Sequence, residues 1–426
     1  MMLRFGLTIL LVAVCFGGCS IRRPGNQAIL TVAVRGGPAD VQAAEDIRRS
    51  FEREHPRIKV RLEHIPDKQY YAKLLTMLAG DSGPDVFGLT NGTILPHAAK
   101  GTLLDMAPLM KRDGGLDKAD FFPKALEAYR FGNKLYGMPI NFHAFALYYN
   151  KTLFDKAHVP YPNGSWDWDD LLAAAKKLTR DNDGDGRIDQ YGIVFDNWLG
   201  AVAPWIWQNG GTIFDNEKAP TRCTLNSPRC VEALQFLADL KLKYHVAPGA
   251  SETAEQGVVE MFYGGRVAMY PYLYVAGRMR LYAKGFEWDC APLPKGPTGI
   301  RASWAGSGCY CINRQTKVPK EAWEFVKFAT GPRGMRVDAR NGIAIPARRS
   351  IAYSEAFMQP GSPPANKQVF LDALDYARLN PNLTHALDFI TMFQEHIDRL
   401  LLGDADAQTV ANEITQRAND ELHHSR

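Results

Sequence analysis

The run from Asp181 to Asp189, read as DNDGDGRID, concentrates carboxylates at a spacing that suits metal binding. The candidate ligands of a calcium loop are Asp181, Asp183, Asp185, the carbonyl of Arg187, and Asp189. Position 12 of such a loop is Gly192 here, where an EF-hand has a bidentate glutamate, so a complete EF-hand is excluded. The run predicts a structural Ca²⁺ site, and the alternative is an Asp- and Gly-rich turn that needs no ion.

The N-terminus predicts export. A positive start at Arg4 is followed by an apolar run over residues 5–16, which is too short to span a membrane and is typical of a signal peptide over residues 1–18. Phe16-Gly17-Gly18-Cys19 resembles a bacterial lipobox. We therefore expect a lipid on Cys19, a tether over residues 19–26, and anchoring to the bacterial cell membrane on its periplasmic or outer side. The alternative is an ordinary signal peptide with an incidental cysteine.

The remaining cysteines fit an exported chain. Cys223 and Cys230 bracket a short polar turn, and an oxidising compartment favours a disulfide between them; the alternative is two free thiols. Cys309 and Cys311 alternate along a predicted strand, so their side chains point the same way and are expected to be small core residues. No repeated CxxC pair occurs, which argues against zinc.

The elements that must position these residues follow an α/β pattern. Apolar runs predict strands over 29–34, 58–65 and 85–89, and helical spacing predicts helices over 41–55 and 68–79. The same alternation returns after residue 140. Strands that alternate with helices favour a parallel or mixed sheet covered on both faces.

Composition and charge exclude other classes. The 426 residues, 46% of them hydrophobic, are enough for two or three domains with real cores. Three of the 50 Lys and Arg residues precede residue 27, where no acid occurs, so the rest nearly balances 46 acids. A near-neutral body has no electrostatic footprint for nucleic acid.

Several segments, in this order, resemble the bacterial family 1 extracellular solute-binding proteins. They are FEREHPRIKV at 51–60, GPDVF at 83–87, KLYGMP at 134–139, LYYNKTLF at 147–154, WDWDDL at 166–171, PLPKGP at 292–297 and GIAIPAR at 342–348. Each segment alone is a weak signal, whereas the ordered set behind a lipobox is strong. The resemblance covers nearly the whole chain after the signal peptide.

The resemblance implies a fold and a function. Its members have a two-lobed, periplasmic-binding-protein-like α/β fold of type II, with a ligand cleft between discontinuous lobes. By analogy, lobe 1 would be residues 27–138 plus 299–343, and lobe 2 would be residues 139–298 plus 344–426. The implied protein is a monomer that requires no cofactor, binds a sugar or related polyol, and delivers it to an ABC permease by hinge closure.

Aromatic side chains in segments that the resemblance places at the cleft are candidate platforms for the apolar faces of a sugar. The candidates are Trp198, Trp205, Tyr270, Tyr272 and Trp304, with Gly306 and Ser307 exposing backbone N–H groups beside them. The alternative for any one tryptophan is core packing, and at least one of Tyr270, Tyr272 and Tyr274 is expected to be structural.

Polar candidates lie at predicted strand ends and in the later motifs. They are Arg35, Asn91, Asn141, His143 and Arg348, whose planar or bidentate groups suit vicinal hydroxyls. The alternative for each is a turn or capping role. A phosphorylated solute such as a glycerol phosphate ester would make Arg35 and Arg348 the main ligands.

Two other classes remain. A lipid-anchored glycoside hydrolase needs two facing carboxylates, but the candidate cleft segments are poor in acids. No GxSxG, HExxH or P-loop motif occurs in the sequence. An adhesion or scaffolding lipoprotein would keep the fold with a degenerate cleft.

Overall fold

The computed structural model describes residues 27–424 apart from 81, 115, 382 and 384, so the predicted signal peptide and lipidated Cys19 lie outside the described residues. The strands are β1 (Ala28–Arg35), β2 (Ile58–Ile65), β3 (Val86–Thr90), β4 (Arg130–Phe131), β5 (Lys134–Leu135), β6 (Met138–Pro139), β7 (His143–Asn150), β8 (Tyr191–Ile193), β9 (Val267–Leu273), β10 (Trp288–Ala291), β11 (Ser303–Gly306), β12 (Gly308–Ile312) and β13 (Ala377–Leu379).

Helices connect these strands and cover both sheets. They are α1 (Pro38–Glu54), α2 (Tyr70–Ala79), α3 (Ile94–Ala99), α4 (Ala107–Arg112), α5 (Pro123–Glu127), α6 (Lys151–Lys156), α7 (Trp168–Leu178), α8 (Leu199–Gln208), α9 (Pro228–Leu242), α10 (Ala250–Gln256), α11 (Val258–Tyr263), α12 (Ala276–Tyr282), α13 (Pro319–Ala329), α14 (Pro332–Asn341), α15 (Arg349–Ala352), α16 (Glu355–Met358), α17 (Gln368–Tyr376), α18 (Ala386–Leu402) and α19 (Ala407–His424). Among the described helices, none combines the length and apolar character needed to cross a membrane.

The first sheet has the strand order β2-β1-β3-β12-β6. β1 runs parallel to β2 and β3, whereas β12 runs antiparallel to β3 and β6. Helix α1 buries Ala43, Ile47 and Phe51, which recur at helical spacing, and the Phe51 ring meets Phe325 of α13 edge-on at 5.2 Å. We call this sheet and its helices lobe 1.

The second sheet has the order β13-β11-β7-β9-β8, and β10 also pairs with β7. β7 is its central strand, and every residue from Ala144 to Asn150 is buried because helices and neighbouring strands cover it. Helices α7, α8, α9, α18 and α19 contribute to a second hydrophobic core. We call this sheet and its helices lobe 2. The predicted α/β class with two lobes is confirmed.

The chain passes between the two sheets at residues 140–142, at Ser307, and after α14. The three crossing segments bond to one another: Ile140 N–H donates to Gly308 O at 2.9 Å, Phe142 N–H to Ile345 O at 2.9 Å, and Ala347 N–H to Ile140 O at 3.2 Å. They form one layer between the lobes, which is the geometry of a hinge.

The sheet pairing corrects one predicted boundary. β11 precedes Ser307 and pairs with β7 and β13, so it belongs to lobe 2 and not to lobe 1, which was expected to resume at residue 299. The predicted boundary rests on analogy with the family, whereas the crossing in this chain is the single residue Ser307 between β11 and β12.

The predicted disulfide is wrong. Cys223 and Cys230 are both buried free thiols. Cys223 Sγ lies 3.9 Å from Thr415 Oγ1, whereas Cys230 Sγ contacts Ser227 Oγ at 3.1 Å and Thr212 O at 3.4 Å, so the two sulfurs have separate partners. Burial raises the pKa of Cys223 to about 11 and keeps it a thiol.

Cys309 and Cys311 are fully buried on β12, which confirms their prediction as core residues. Their sulfurs are 3.5 Å apart, and both are free thiols.

Thiol titration tests the cysteine assignment. A chain beginning at residue 27, denatured without reductant and treated with Ellman's reagent, should titrate five thiols, because all five cysteines of the described residues are free. The same sample reduced beforehand serves as the control and should give the same count. A lower count without reductant, with a mass spectrum linking the peptides of Cys223 and Cys230, would restore the disulfide.

Candidate functional site

Three predicted polar residues meet where the chain crosses between the lobes. Ser307 N–H donates to Asn91 Oδ1 at 3.1 Å, and Ser307 Oγ donates to the carbonyl of Asn141 at 2.7 Å. Asn141 Oδ1 in turn accepts from Gly308 N–H at 2.6 Å. Because both asparagine oxygens are engaged by backbone, these side chains fix the second crossing and thereby the floor of the cleft.

Four rings form what we call the aromatic cluster: Phe145, Trp198, Tyr272 and Trp304. Phe145 of β7 is buried at its centre, with ring centroids at 5.7 Å to Trp198, 5.9 Å to Tyr272 and 5.7 Å to Trp304. Trp198 and Trp304 meet at 90° with centroids 5.1 Å apart. Trp198 and Tyr272 are half-buried, so the cluster presents ring surface as well as packing.

Two glycines make room for the tryptophans. A Cβ on Gly200 would overlap the Trp198 ring, and a Cβ on Gly306 would overlap the Trp304 ring. The predicted site residue Gly306 therefore admits an indole, which is a different role from the predicted exposure of backbone N–H groups. The Trp304 ring is further fixed by its Nε1–H, which donates to Asn380 Oδ1 at 2.7 Å.

Tyr270 and Tyr272 stack with centroids 4.8 Å apart and an interplanar angle of 15°. Tyr270 is buried, and its hydroxyl donates to Asp196 Oδ2 at 2.7 Å. It therefore positions the Tyr272 ring by stacking and the Asp196 carboxylate by a hydrogen bond. Burial raises the pKa of both Tyr270 and Asp196. Tyr274 is buried against Phe357 and Phe370, which makes it the structural member of the series.

Lobe 1 contributes a charged rim. Arg35 Nε donates to Asp67 Oδ1 at 2.7 Å and Nη1 donates to the Tyr71 hydroxyl at 2.6 Å, while the guanidinium lies 4.9 Å from the Tyr71 ring centre. Burial raises the pKa of Tyr272 to about 12, and the charges of Asp196 and Asp67 act on it in the same direction. Tyr272 of lobe 2 therefore lies near acids from both lobes.

An ion pair joins the lobes beside this site. Arg278 of α12 donates to Asp40 of α1 at 2.8 Å, and Gly277 N–H donates to the carbonyl of Gly342 at 2.9 Å. A Cβ on Gly277 would overlap the carbonyl oxygen of Asn341, so the first turn of α12 lies directly against lobe 1. The contact defines how closely the lobes approach.

His143 begins β7 at the first crossing. It is half-buried, and its Nδ1 has no hydrogen-bond partner among the described residues. Burial and, to a smaller extent, the positive charge of Arg278 lower the pKa of His143 to about 4, so the ring is neutral at pH 7. A neutral imidazole at this position can donate to or accept from a solute hydroxyl.

Two predicted binding residues are wrong. Trp205 is buried in the core of lobe 2, packed against Trp168 at 5.7 Å and Phe236 at 5.9 Å. Arg348 is buried as well, because its guanidinium donates to the carbonyls of Thr330 and Leu116 and pairs with Asp120 at 3.2 Å. Both are structural, since each side chain is buried and held by neighbours within its own lobe's packing.

The Asp-rich loop lies between α7 and β8. Carboxylate oxygens of Asp181, Asp183 and Asp189 converge within 4.8 Å, and Asp185 is not part of that group. Asp181 accepts from the backbone N–H groups of Gly184 and Gly186 at 2.7 and 2.9 Å. These bonds also fit the alternative of an ion-free turn, and calcium binding stays a prediction.

Comparison with known proteins decides the family. The profile of the bacterial extracellular solute-binding proteins matches residues 34–336. The chain belongs to that family. It is therefore a solute-binding protein of an ABC transporter and not an enzyme, and its lobes form the predicted periplasmic-binding-protein-like fold.

Individual relatives agree with this assignment. The solute-binding protein is 23% identical over 381 residues to a putative binding protein of Brucella abortus, covering 88% of each chain. It is 27% identical over 337 residues to a mannitol-binding protein of Pseudomonas aeruginosa, covering 75% of this chain and 73% of that one. An ABC substrate-binding protein of Listeria monocytogenes, solved with cycloalternan, superposes with a TM-score of 0.86 at 26% identity, covering 93% of this chain and 99% of that one.

Sequence reasoning missed Asp196, Asp67 and Phe145. Asp196 follows β8, a strand of only three residues whose end has no clear sequence signal. Asp67 precedes a helix and looks like an ordinary capping residue. Phe145 lies inside a continuous apolar run, where no residue stands out from the core.

The pH dependence of stability tests the environment of His143. Its pKa is lower in the folded than in the unfolded chain, so the unfolded chain binds more protons between pH 6.5 and 4, and stability falls as the pH is lowered through that window. Between pH 7 and pH 5, urea unfolding should show the wild type losing ~2 kcal/mol more than His143→Gln.

The matched control is His385→Gln, whose side chain is 56% exposed and which should leave the free energy of unfolding at pH 7 close to the wild-type value. Identical pH profiles for the wild type and His143→Gln would contradict the burial of a neutral imidazole at the crossing.

Proposed function

We propose that the protein is the exported receptor of an ABC importer and binds a sugar or related polyol between its lobes. The observation that carries the proposal is the aromatic cluster, which combines half-exposed rings with hydrogen-bonding groups from both lobes. Sugar rings present apolar C–H faces that pack on aromatic faces, while Asp67, Asp196 and His143 offer partners for hydroxyls.

The relatives support the same class of solute. A mannitol-binding protein and an erythritol/L-threitol-binding protein are among the curated relatives, and the Listeria monocytogenes structure holds cycloalternan. These names describe what those proteins bind. Mannitol, erythritol and cycloalternan all carry many hydroxyl groups on a carbon skeleton. The aromatic cluster and its polar rim suit that chemistry.

The arrangement of the arginines disfavours the phosphorylated alternative. Arg348 is buried away from the cluster, Arg35 is held by Asp67 and Tyr71, and Arg278 is held by Asp40. A phosphate ester would have to displace a carboxylate to reach either of the last two guanidinium groups. A neutral solute needs no such exchange.

The proposal includes the membrane and the permease. Residues 1–18 would direct export, and a lipid on Cys19 with the tether to residue 26 would hold the receptor, as a monomer, at the membrane surface beside its permease. Anchoring places the receptor where it can capture solute outside the cytoplasm. The adhesion alternative would lack binding of any small solute.

Loss of ring surface should weaken binding. A thermal-shift screen first identifies the sugar or polyol that stabilises the wild type most. Trp198→Ala should lower the affinity for that solute by roughly tenfold or more, because the variant removes the half-exposed face of the aromatic cluster. Calorimetric titration measures the change. Tyr353→Ala is the control, since Tyr353 is 51% exposed and lies outside the cluster.

If Trp198→Ala melts like the wild type and keeps full affinity, the solute does not stack on Trp198. A screen of sugars and polyols without any hit would count against the proposed solute class.

Closure about the hinge is the second expectation. Because site groups come from both lobes, a bound solute should favour the closed arrangement and lower the radius of gyration measured by small-angle X-ray scattering. Trp198→Ala at the same solute concentration should show a smaller decrease, in proportion to its occupancy. An unchanged radius at demonstrated saturation would contradict hinge closure.

A further inference from the structure

Asp196 is the unusual charge of the site. It is half-buried and lies three residues after the end of β8, and among the described residues its side-chain partner is the Tyr270 hydroxyl, which donates to one of its two oxygens. Among the described residues, no basic side chain forms an ion pair with it. Burial raises the pKa of Asp196, and the nearby Glu260 acts in the same direction. A carboxylate withdrawn from water without a cation is costly.

The positive charges near the site are already used. Arg35 pairs with Asp67, and Arg278 pairs with Asp40 at 2.8 Å across the lobes. His143 is neutral at pH 7 because burial lowers its pKa. Arg35 and Arg278 thus have acidic partners of their own, and no basic side chain of the described residues forms an ion pair with Asp196.

Aromatic rings are connected to Asp196 through its hydrogen bond with Tyr270, whose ring stacks on Tyr272. Asp196 precedes Trp198 by two residues, and its charge acts on the Tyr272 hydroxyl, whose ring stacks on Tyr270. The faces of indole and phenol rings attract an ammonium group within about 6 Å of the ring centre. A carboxylate beside such rings is a suitable environment for a protonated amine.

We propose that the solute carries a protonated amine, as an amino sugar or amino polyol does, and that its ammonium group binds Asp196 beside Trp198 and Tyr272. The inference rests on the proposed function and narrows its solute class. The solute's hydroxyls and ring faces would use the rest of the site, and the amine would supply the cation that Asp196 lacks.

Matched pairs of probes test the proposal. Titration calorimetry at pH 7 would compare glucosamine with glucose, 1-amino-1-deoxysorbitol with sorbitol, and chitosan oligosaccharides with cello-oligosaccharides. In at least one pair the amine should bind tenfold or more tightly than its neutral partner, because a buried charge-assisted hydrogen bond replaces a neutral one. N-Acetylglucosamine, which has no charge, should lose the advantage of glucosamine.

Variants separate this role from a structural one. Asp196→Asn keeps the shape and should bring the amine and its neutral partner to similar affinity. Asp155→Asn is the matched control, since Asp155 also accepts from a tyrosine hydroxyl, that of Tyr161 at 2.6 Å, but on an exposed surface. It should keep the full preference.

The outcomes distinguish the two proposals. Neutral probes that bind as tightly as amines, or a preference that survives in Asp196→Asn, would overturn the amine assignment and leave the proposed function intact. The comparison of amine and neutral probes on the wild type tests the amine assignment even if Asp196→Asn fails to fold. A panel in which neither kind of probe binds would overturn both.

Discussion

The hydrogen bonds among the three crossing segments are the constraint on which the rest of the structure depends. Ile140, Phe142 and Ala347 donate to backbone carbonyls of neighbouring crossings, so each lobe is positioned against the other by main chain. The groups of the site lie at strand ends next to this layer: Asn91 after β3, His143 at the start of β7, and Ser307 between β11 and β12. Their relative positions follow from the crossings.

The aromatic cluster depends on a second constraint, which is close packing of large rings. Phe145 is fixed by the buried centre of the lobe 2 sheet, and the two tryptophans pack against it from separate segments. The rings fit only because Gly200 and Gly306 have no side chain. Rings that are held this firmly lose little conformational freedom when a solute packs against them, which favours binding.

Much of this arrangement could be predicted from the sequence. Apolar periodicity gives the α/β class, and the ordered motifs give the family, the two lobes, and a cleft with Asn91, Asn141 and Ser307 near it. Side-chain direction could not be predicted. Trp198 and Trp205 are seven residues apart, yet only Trp198 reaches the cluster, because Trp198 precedes α8 and Trp205 lies inside it. Arg348 follows a family motif, but tertiary contacts with Asp120 and Thr330 decide where its guanidinium lies.

The rings of the aromatic cluster come from distant parts of the chain: Phe145, Trp198, Tyr272 and Trp304. Phe145 and Trp304 belong to the hydrophobic core of lobe 2, whereas Trp198 and Tyr272 are half-buried and pack against that core. Substitution of Trp198 or Tyr272 can therefore alter the exposed ring surface while Phe145 and Trp304 stay in the core. This separation of scaffold from recognition surface gives the fold room to diversify its cargo during evolution while its architecture stays the same.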